Sequence, residues 1–118
     1  MTPLKRGMVV DVNLDPTKGS ETGKIRPCII VTNDVYNARV PVIQVVPVTG
    51  WSAKKELIKT NIAIEATPDN GLSKKSIADC LQTRPVDHRH RMVRVRGSLS
   101  PDKIFELDKA LRIVFELS

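Results

Sequence analysis

The hydrophobic residues of this chain fall in runs of four to seven, most of them rich in valine and isoleucine, and only the segment after Ser100 repeats at helical spacing. Short β-branched runs bounded by turn formers are strands. Met8–Leu14 sets Val10, Val12 and Leu14 on one side of an extended chain. Cys28–Val31, between Pro27 and Asn33-Asp34, reads as a buried strand, and Val42–Val46 as another. Pro47 lacks an N–H, which predicts an edge, a bulge or a turn where that run ends. Thr60–Glu65 alternates apolar with polar residues, Asp69-Asn70-Gly71 is a turn, and Ser76–Gln82 is a further strand. Met92–Gly97 alternates valine with arginine, which puts one face inward and one outward.

After Ser100 the period changes. Ser100 is an N-cap, Pro101 suits the first helical position, and Asp102 complements the helix dipole. Ile104, Leu107, Leu111 and Val114 then form the apolar stripe of an amphipathic helix. The expectation is one mainly β domain over residues 1–118, with about six strands, one terminal helix and a short helix between. Strands joined by short polar loops predict a small closed or half-closed antiparallel barrel. There is no internal repeat, low-complexity tract or linker.

Composition narrows the function classes. The net charge is +6, from 19 Lys and Arg against 13 Asp and Glu. A basic domain of this size meets a polyanion: nucleic acid or an acidic protein. Tyr36, Trp51, Phe105 and Phe115 are the whole aromatic set, which argues against binding that rests on stacking platforms. No apolar run is long enough for a bilayer, and Asp11 breaks the first one, so no membrane or signal segment is expected. Two cysteines, Cys28 and Cys80, make neither a disulfide framework nor a four-ligand zinc site. They read as core residues of a reduced, cytoplasmic protein.

The most informative stretch is Asp15–Lys24, a polar loop with two glycines that leads into Arg26. Glycine lets a backbone approach a phosphate closely, and Arg26 sits between Ile25 and rigid Pro27. Thr49, just past the next long strand, presents a hydroxyl. Converging on one point, the two would suit a phosphodiester in a pentacovalent transition state. From spacing alone, a solvated cap and a turn former remain the alternative.

Lys5-Arg6-Gly7, Asp15-Pro16-Thr17-Lys18-Gly19-Ser20-Glu21, Arg26-Pro27, Val46-Pro47-Val48-Thr49 and Leu81-Gln82-Thr83-Arg84 together resemble the MazF/PemK family. These are the toxin halves of bacterial toxin–antitoxin pairs. The resemblance runs from Arg6-Gly7 to the final helix. It implies an SH3-like β-barrel with a helix, a homodimer, and metal-independent, sequence-specific cleavage of single-stranded RNA, often mRNA, with growth arrest as the outcome. No cofactor is implied. The implied partner is an acidic MazE-like antitoxin whose disordered tail competes for the RNA channel, with DNA reached only through that antitoxin. Arg26 matches the family's catalytic arginine and Thr49 its catalytic threonine. Lys18, Gly19, Ser20 and Glu21 lie in the loop that borders the RNA channel, and Gln82 matches a glutamine near bound bases. Arg84 joins the substrate-binding set beside it. Met8, Leu81 and Trp51 depart from the family pattern. The last two bear on base selectivity, and Trp51 is a candidate to stack on a base from an exposed, mobile loop.

Other features compete with this reading. His88 and His90 would share a face on a strand, as a metal pair or a two-histidine ribonuclease would require; a solvated basic loop is the alternative. Arg84 to Arg96 holds five arginines against one aspartate, a candidate electrostatic funnel for RNA or antitoxin. Phe105 and Phe115 extend the terminal helix towards a dimer contact. The rival functions are a non-enzymatic CcdB-like toxin of the same fold that binds gyrase, and a barrel that binds RNA without cutting it.

Overall fold

The computed structural model describes residues 3–118. Seven antiparallel strands build it: β1 (Met8–Asn13), β2 (Ile25–Ile30), β3 (Val42–Gly50), β4 (Asn61–Ile64), β5 (Ser76–Asp79), β6 (Arg84–Asp87) and β7 (Met92–Ser98). Single helical turns α1 (Asp34–Asn37), α2 (Ala53–Glu56) and α3 (His88–Arg91) sit in connections, and α4 (Pro101–Phe115) closes the chain. No helix among the described residues is long and apolar enough to cross a membrane.

The sheet runs β4-β5-β3-β2-β1-β7, and β6 also pairs β3. Strand β3 organises it. Its first half, Val42–Val45, pairs β6, and its last three residues, Val48–Gly50, pair β5. Pro47 falls in the gap between these two ladders, where its missing N–H removes no bond to either. The strand therefore runs through Pro47 to Gly50, beyond the Val46 limit expected from sequence. The switch of partner also explains why Ser76–Gln82 is not one strand. β5 stops at Asp79, and Cys80–Gln82 form a 3-10 turn that carries the chain across to β6.

Alternation in β1 divides the core between two faces. Met8, Val10 and Val12 pack with Cys28, Ile30, Ile43, Val45 and Val86. Val9 faces the other way, with Ile29, Val46, Ile64 and Leu107 of α4. Met92 of β7 packs into the first cluster beside Val86 of β6, although the two strands lie on different edges. The sheet has curled, and α3 spans β6 to β7 directly, giving the half-closed barrel that the strand spacing predicted. Each fully buried aliphatic side chain contributes about 1.5–3 kcal/mol. The terminal helix follows its sequence signals: Ser100 Oγ accepts from Lys103 N at 3.3 Å, Leu107 is fully buried, and Ile104, Leu111 and Val114 pack on the core. Phe105 and Phe115 stay exposed.

In β7 the alternation of valine and arginine has an unexpected sense. Val93 and Val95 are exposed, at 56% and 40%, and so is Arg94 between them; only Arg96 is largely covered. Arg94 and Arg96 turn to the buried Asp11, each Nε donating to one carboxylate oxygen at 2.6 Å. A buried carboxylate needs partners more than valine needs burial. Beside it, Gly97 lies so close to the 65–72 loop that an added Cβ would sit 2.1 Å from the Asp69 carbonyl oxygen. That contact brings Leu72–Lys74 alongside Arg96.

Candidate active site

The register of β2 on β3 pairs Ile30 with Val45, Ile29 with Val46 and Cys28 with Pro47. Continued two places, it sets Arg26 opposite Thr49. The ladder stops before reaching them, because β3 turns to β5 at Val48. A cleft of about 200 Å³ opens in that fork, and Arg26, Thr49, Lys74 and Arg96 all line it. The two residues singled out in the sequence are thus brought into one depression by the parting of two strands.

Arg26 is half-buried. Its Nε donates to the Gly23 carbonyl at 3.1 Å, and its terminal nitrogens have no hydrogen-bond partner among the described residues. Thr49 is also half-buried. Its Oγ1 accepts from Lys55 Nζ at 3.3 Å, and the same ammonium donates to the Gly50 carbonyl at 3.0 Å. The cleft lining contains three cationic side chains and no carboxylate. Such a low-dielectric, one-sign depression concentrates anions.

Arg96 is positioned from behind. Besides Asp11, it donates from Nη1 to the Gly71 carbonyl at 2.9 Å. Burial pushes the Asp11 carboxyl upward, but its hydrogen bonds to Arg96 and Arg94 and their charges leave it below its ordinary 3.8. The folded state therefore gains from the ionised form. That contribution is complete above about pH 4 and is lost as pH falls through the lower folded value. Asp11→Asn is expected to cost about 1.5–3 kcal/mol at neutral pH, and to flatten the acid limb of a pH-dependent unfolding series below pH 4. Equal acid limbs for the two proteins would remove Asp11 from this role.

A second groove, of about 530 Å³, is lined by Glu21, Gln82 and Arg84 among others. The loop between β1 and β2 forms one of its walls and is ordered by its own bonds. Lys18 N donates to Glu21 Oε1 at 2.7 Å, and Lys24 N to Asp15 Oδ1 at 2.9 Å. Gln82 accepts from Thr22 N at 2.7 Å and donates to the Ser20 carbonyl at 3.0 Å, so its amide braces this loop. Arg84 holds the loop's base by donating to the Leu14 carbonyl at 3.0 Å. Lys18, Gly19 and Ser20 are exposed near the loop's tip. Since Gly23 follows Thr22, one short segment links Gln82 in the groove to Arg26 in the cleft.

Trp51 lines neither depression. Its indole N–H donates to the Glu56 carboxylate, and Lys75 Nζ lies 4.3 Å above the ring centroid. The segment is therefore pinned rather than a mobile loop. His88 and His90 lie on α3, where residues two apart point to different sides, so the shared face that a strand would give them is absent. No group of three or more potential metal ligands exists among the described residues. The arginine run is largely engaged in structure. Arg84, Arg91, Arg94 and Arg96 bond carbonyls of the β1 end and its loop, the Gly71 carbonyl or Asp11. Cys28 and Cys80 are buried, and burial pushes both thiols up to about 12, so neither is a nucleophile.

Sequence reasoning missed Lys55 and Lys74, and marked Arg96 only as one member of the arginine run. Nothing in the spacing marks Lys55, which reaches Thr49 only because α2 folds back beside β3. A depression of about 630 Å³ lies elsewhere, between α4 and the strands around Val31, and its surface is mainly apolar.

Residues 5–115 match the family model described as PemK-like, MazF-like toxin of type II toxin-antitoxin system. The chain is 34% identical over 119 residues to endoribonuclease MazF9 of Mycobacterium tuberculosis, covering 97% of this chain and 98% of that one. In fold it is similar to MazF from Deinococcus radiodurans, with a TM-score of 0.81 at 21% identity, covering 99% of this chain and all of that one. It is also similar to a MazE–MazF structure from the same organism, with a TM-score of 0.76 at 22% identity over the whole of both chains.

Proposed function

The chain belongs to the PemK-like, MazF-like toxins of type II toxin–antitoxin systems, and on that premise we propose that it is a metal-independent endoribonuclease with Arg26 and Thr49 as its catalytic residues. The observation that carries this reading is the placement of both side chains in one cationic cleft where β2 and β3 part.

RNA brings its own nucleophile. The ribose 2′-oxygen attacks the adjacent phosphorus and loses its proton, a 2′,3′-cyclic phosphate forms, and the P–O5′ bond breaks to leave a 5′-OH once that oxygen is protonated. The protein's task is to hold this geometry and to stabilise the charge that grows on the non-bridging oxygens. Arg26 is built for it. Its Nε is anchored on Gly23, and its free terminal nitrogens can make two parallel charge-assisted bonds to phosphoryl oxygens. The Thr49 hydroxyl donates a third. A guanidinium resists deprotonation, so its contribution is electrostatic stabilisation rather than proton abstraction.

The separate groove of Glu21, Gln82 and Arg84, tied to the cleft through the Thr22–Gly23 segment, suits the flanking nucleotides. Gln82 then acts on bases chiefly through the loop it braces. An acidic MazE-like antitoxin would compete for the same basic surface, and a homodimer is the assembly this family membership suggests. Growth arrest would follow from loss of intact mRNA.

One assay tests the reading. Purified protein with EDTA and a long unstructured RNA should give discrete fragments bearing 5′-OH ends. Shifted but intact RNA would mean a binding module only, and untouched RNA a toxin acting on a protein target. Cleavage abolished by EDTA would replace the proposed chemistry with a metal-dependent one.

A further inference from the structure

Among the described residues, Lys55 is the one side chain that hydrogen-bonds Thr49's hydroxyl, and the polarity of that contact is not free. A lysine ammonium has three donors and no acceptor, whereas a threonine hydroxyl has one donor and two acceptor lone pairs. Lys55 must therefore donate and Thr49 Oγ1 must accept, across 3.3 Å. The hydroxyl proton then lies on another side of the oxygen, and no group among the described residues accepts it. The cleft is where it has an open direction.

The lysine itself is well held. Its backbone N–H donates to Ser52 Oγ at 3.2 Å, which caps α2, and its carbonyl accepts from Asn61 Nδ2 at 3.0 Å. Its ammonium also donates to the Gly50 carbonyl at 3.0 Å, beside Thr49 in the chain. Lys55 thus ties α2 to the end of β3 at the residue that faces the cleft. A fixed cation against Oγ1 also draws electron density from the hydroxyl and strengthens it as a donor.

We propose that Lys55 is a positioning residue for Thr49, fixing the direction of the hydroxyl proton and sharpening its donation to the scissile phosphate. The inference rests on the Arg26–Thr49 site assigned above. It differs from a direct role on RNA, in which the ammonium would bind phosphate as a point charge.

The test is a cycle of variants on an oligonucleotide carrying the cut site mapped with long RNA. Thr49→Val should lower kcat about 100-fold, as for a lost transition-state donor. Lys55→Met, which keeps the stem and removes the donor, should lower kcat about 10-fold with KM and the salt dependence of binding unchanged. In the Thr49→Val background the same change should have no further effect, because a residue acting only through Thr49 has nothing left to act on. Lys55→Arg should recover much of the rate. Full activity of Lys55→Met beside a slow Thr49→Val would overturn the proposal. So would an equal loss in both backgrounds, or a loss in KM with a shallower salt slope, since each places Lys55 on the RNA. Normal activity of Thr49→Val would instead remove the underlying site assignment.

Discussion

Arg26→Ala is expected to cleave RNA at least about 100-fold more slowly than the parent protein, similar to losing an oxyanion donor, with little change in melting temperature. The two halves of this expectation come from one geometry. Arg26 makes a single side-chain hydrogen bond, to Gly23, and is only half-buried, so its loss removes little from the fold. A lone bond of this kind is worth about 0.5–1.5 kcal/mol. Its free terminal nitrogens, by contrast, face a cleft with no neutralising carboxylate, and their value appears only when charge develops on a bound phosphate. Arg26→Lys keeps the charge but not the fork, so it should recover only part of the loss. A variant lacking Arg26 that still cuts RNA at the parental rate would take the reaction out of this cleft.

The largest effect is expected from the substrate side. A single 2′-deoxyribose at the cleavage point, in an otherwise unchanged RNA, should abolish cutting at that bond while leaving affinity close to normal. The cleft supplies an arginine and a threonine but no metal ligand set, and Cys28 and Cys80 are buried with thiols held in the neutral form. With the nucleophile provided by the RNA, removing one oxygen removes the reaction. Binding should persist because the cationic lining reads phosphate rather than the 2′-OH. Cleavage of the deoxy-substituted bond would mean that water attacks phosphorus, and the roles given to Arg26 and Thr49 would have to be rebuilt around a base that positions it.

Much of this was legible without coordinates. Periodicity located six of the seven strands and the terminal helix but missed β6, a four-residue strand holding Pro85, and Ser100, Leu107 and the buried cysteines are where the pattern put them. Pro47 was read as a strand end from its own chemistry, yet β3 changes partner at that residue, and the cost of a proline vanishes where no bond is asked of it. Hydropathy predicts the valines of β7 inward, yet Asp11 on the neighbouring strand draws Arg94 and Arg96 to itself and Val93 and Val95 are left exposed. His88 and His90 share a face only on a strand, and the short span from β6 to β7 folds as a helical turn, in keeping with a solvated basic connection. For Pro47 and for β7, residues from elsewhere in the chain decided the outcome.

By itself, the sequence determined the fold class and the start of the terminal helix at Ser100, through periodicity and capping. It marked Arg26 and Thr49 only through their resemblance to the MazF/PemK family, since spacing alone leaves a solvated cap and a turn former open. Only the tertiary structure decided that Arg26 and Thr49 share a cleft, that four of the five arginines between Arg84 and Arg96 bond β1 or the loop after it, and that Lys55 reaches the threonine. These depend on where two strands stop pairing and which groups a buried charge recruits. Long-range packing sets both, and no window of sequence contains it.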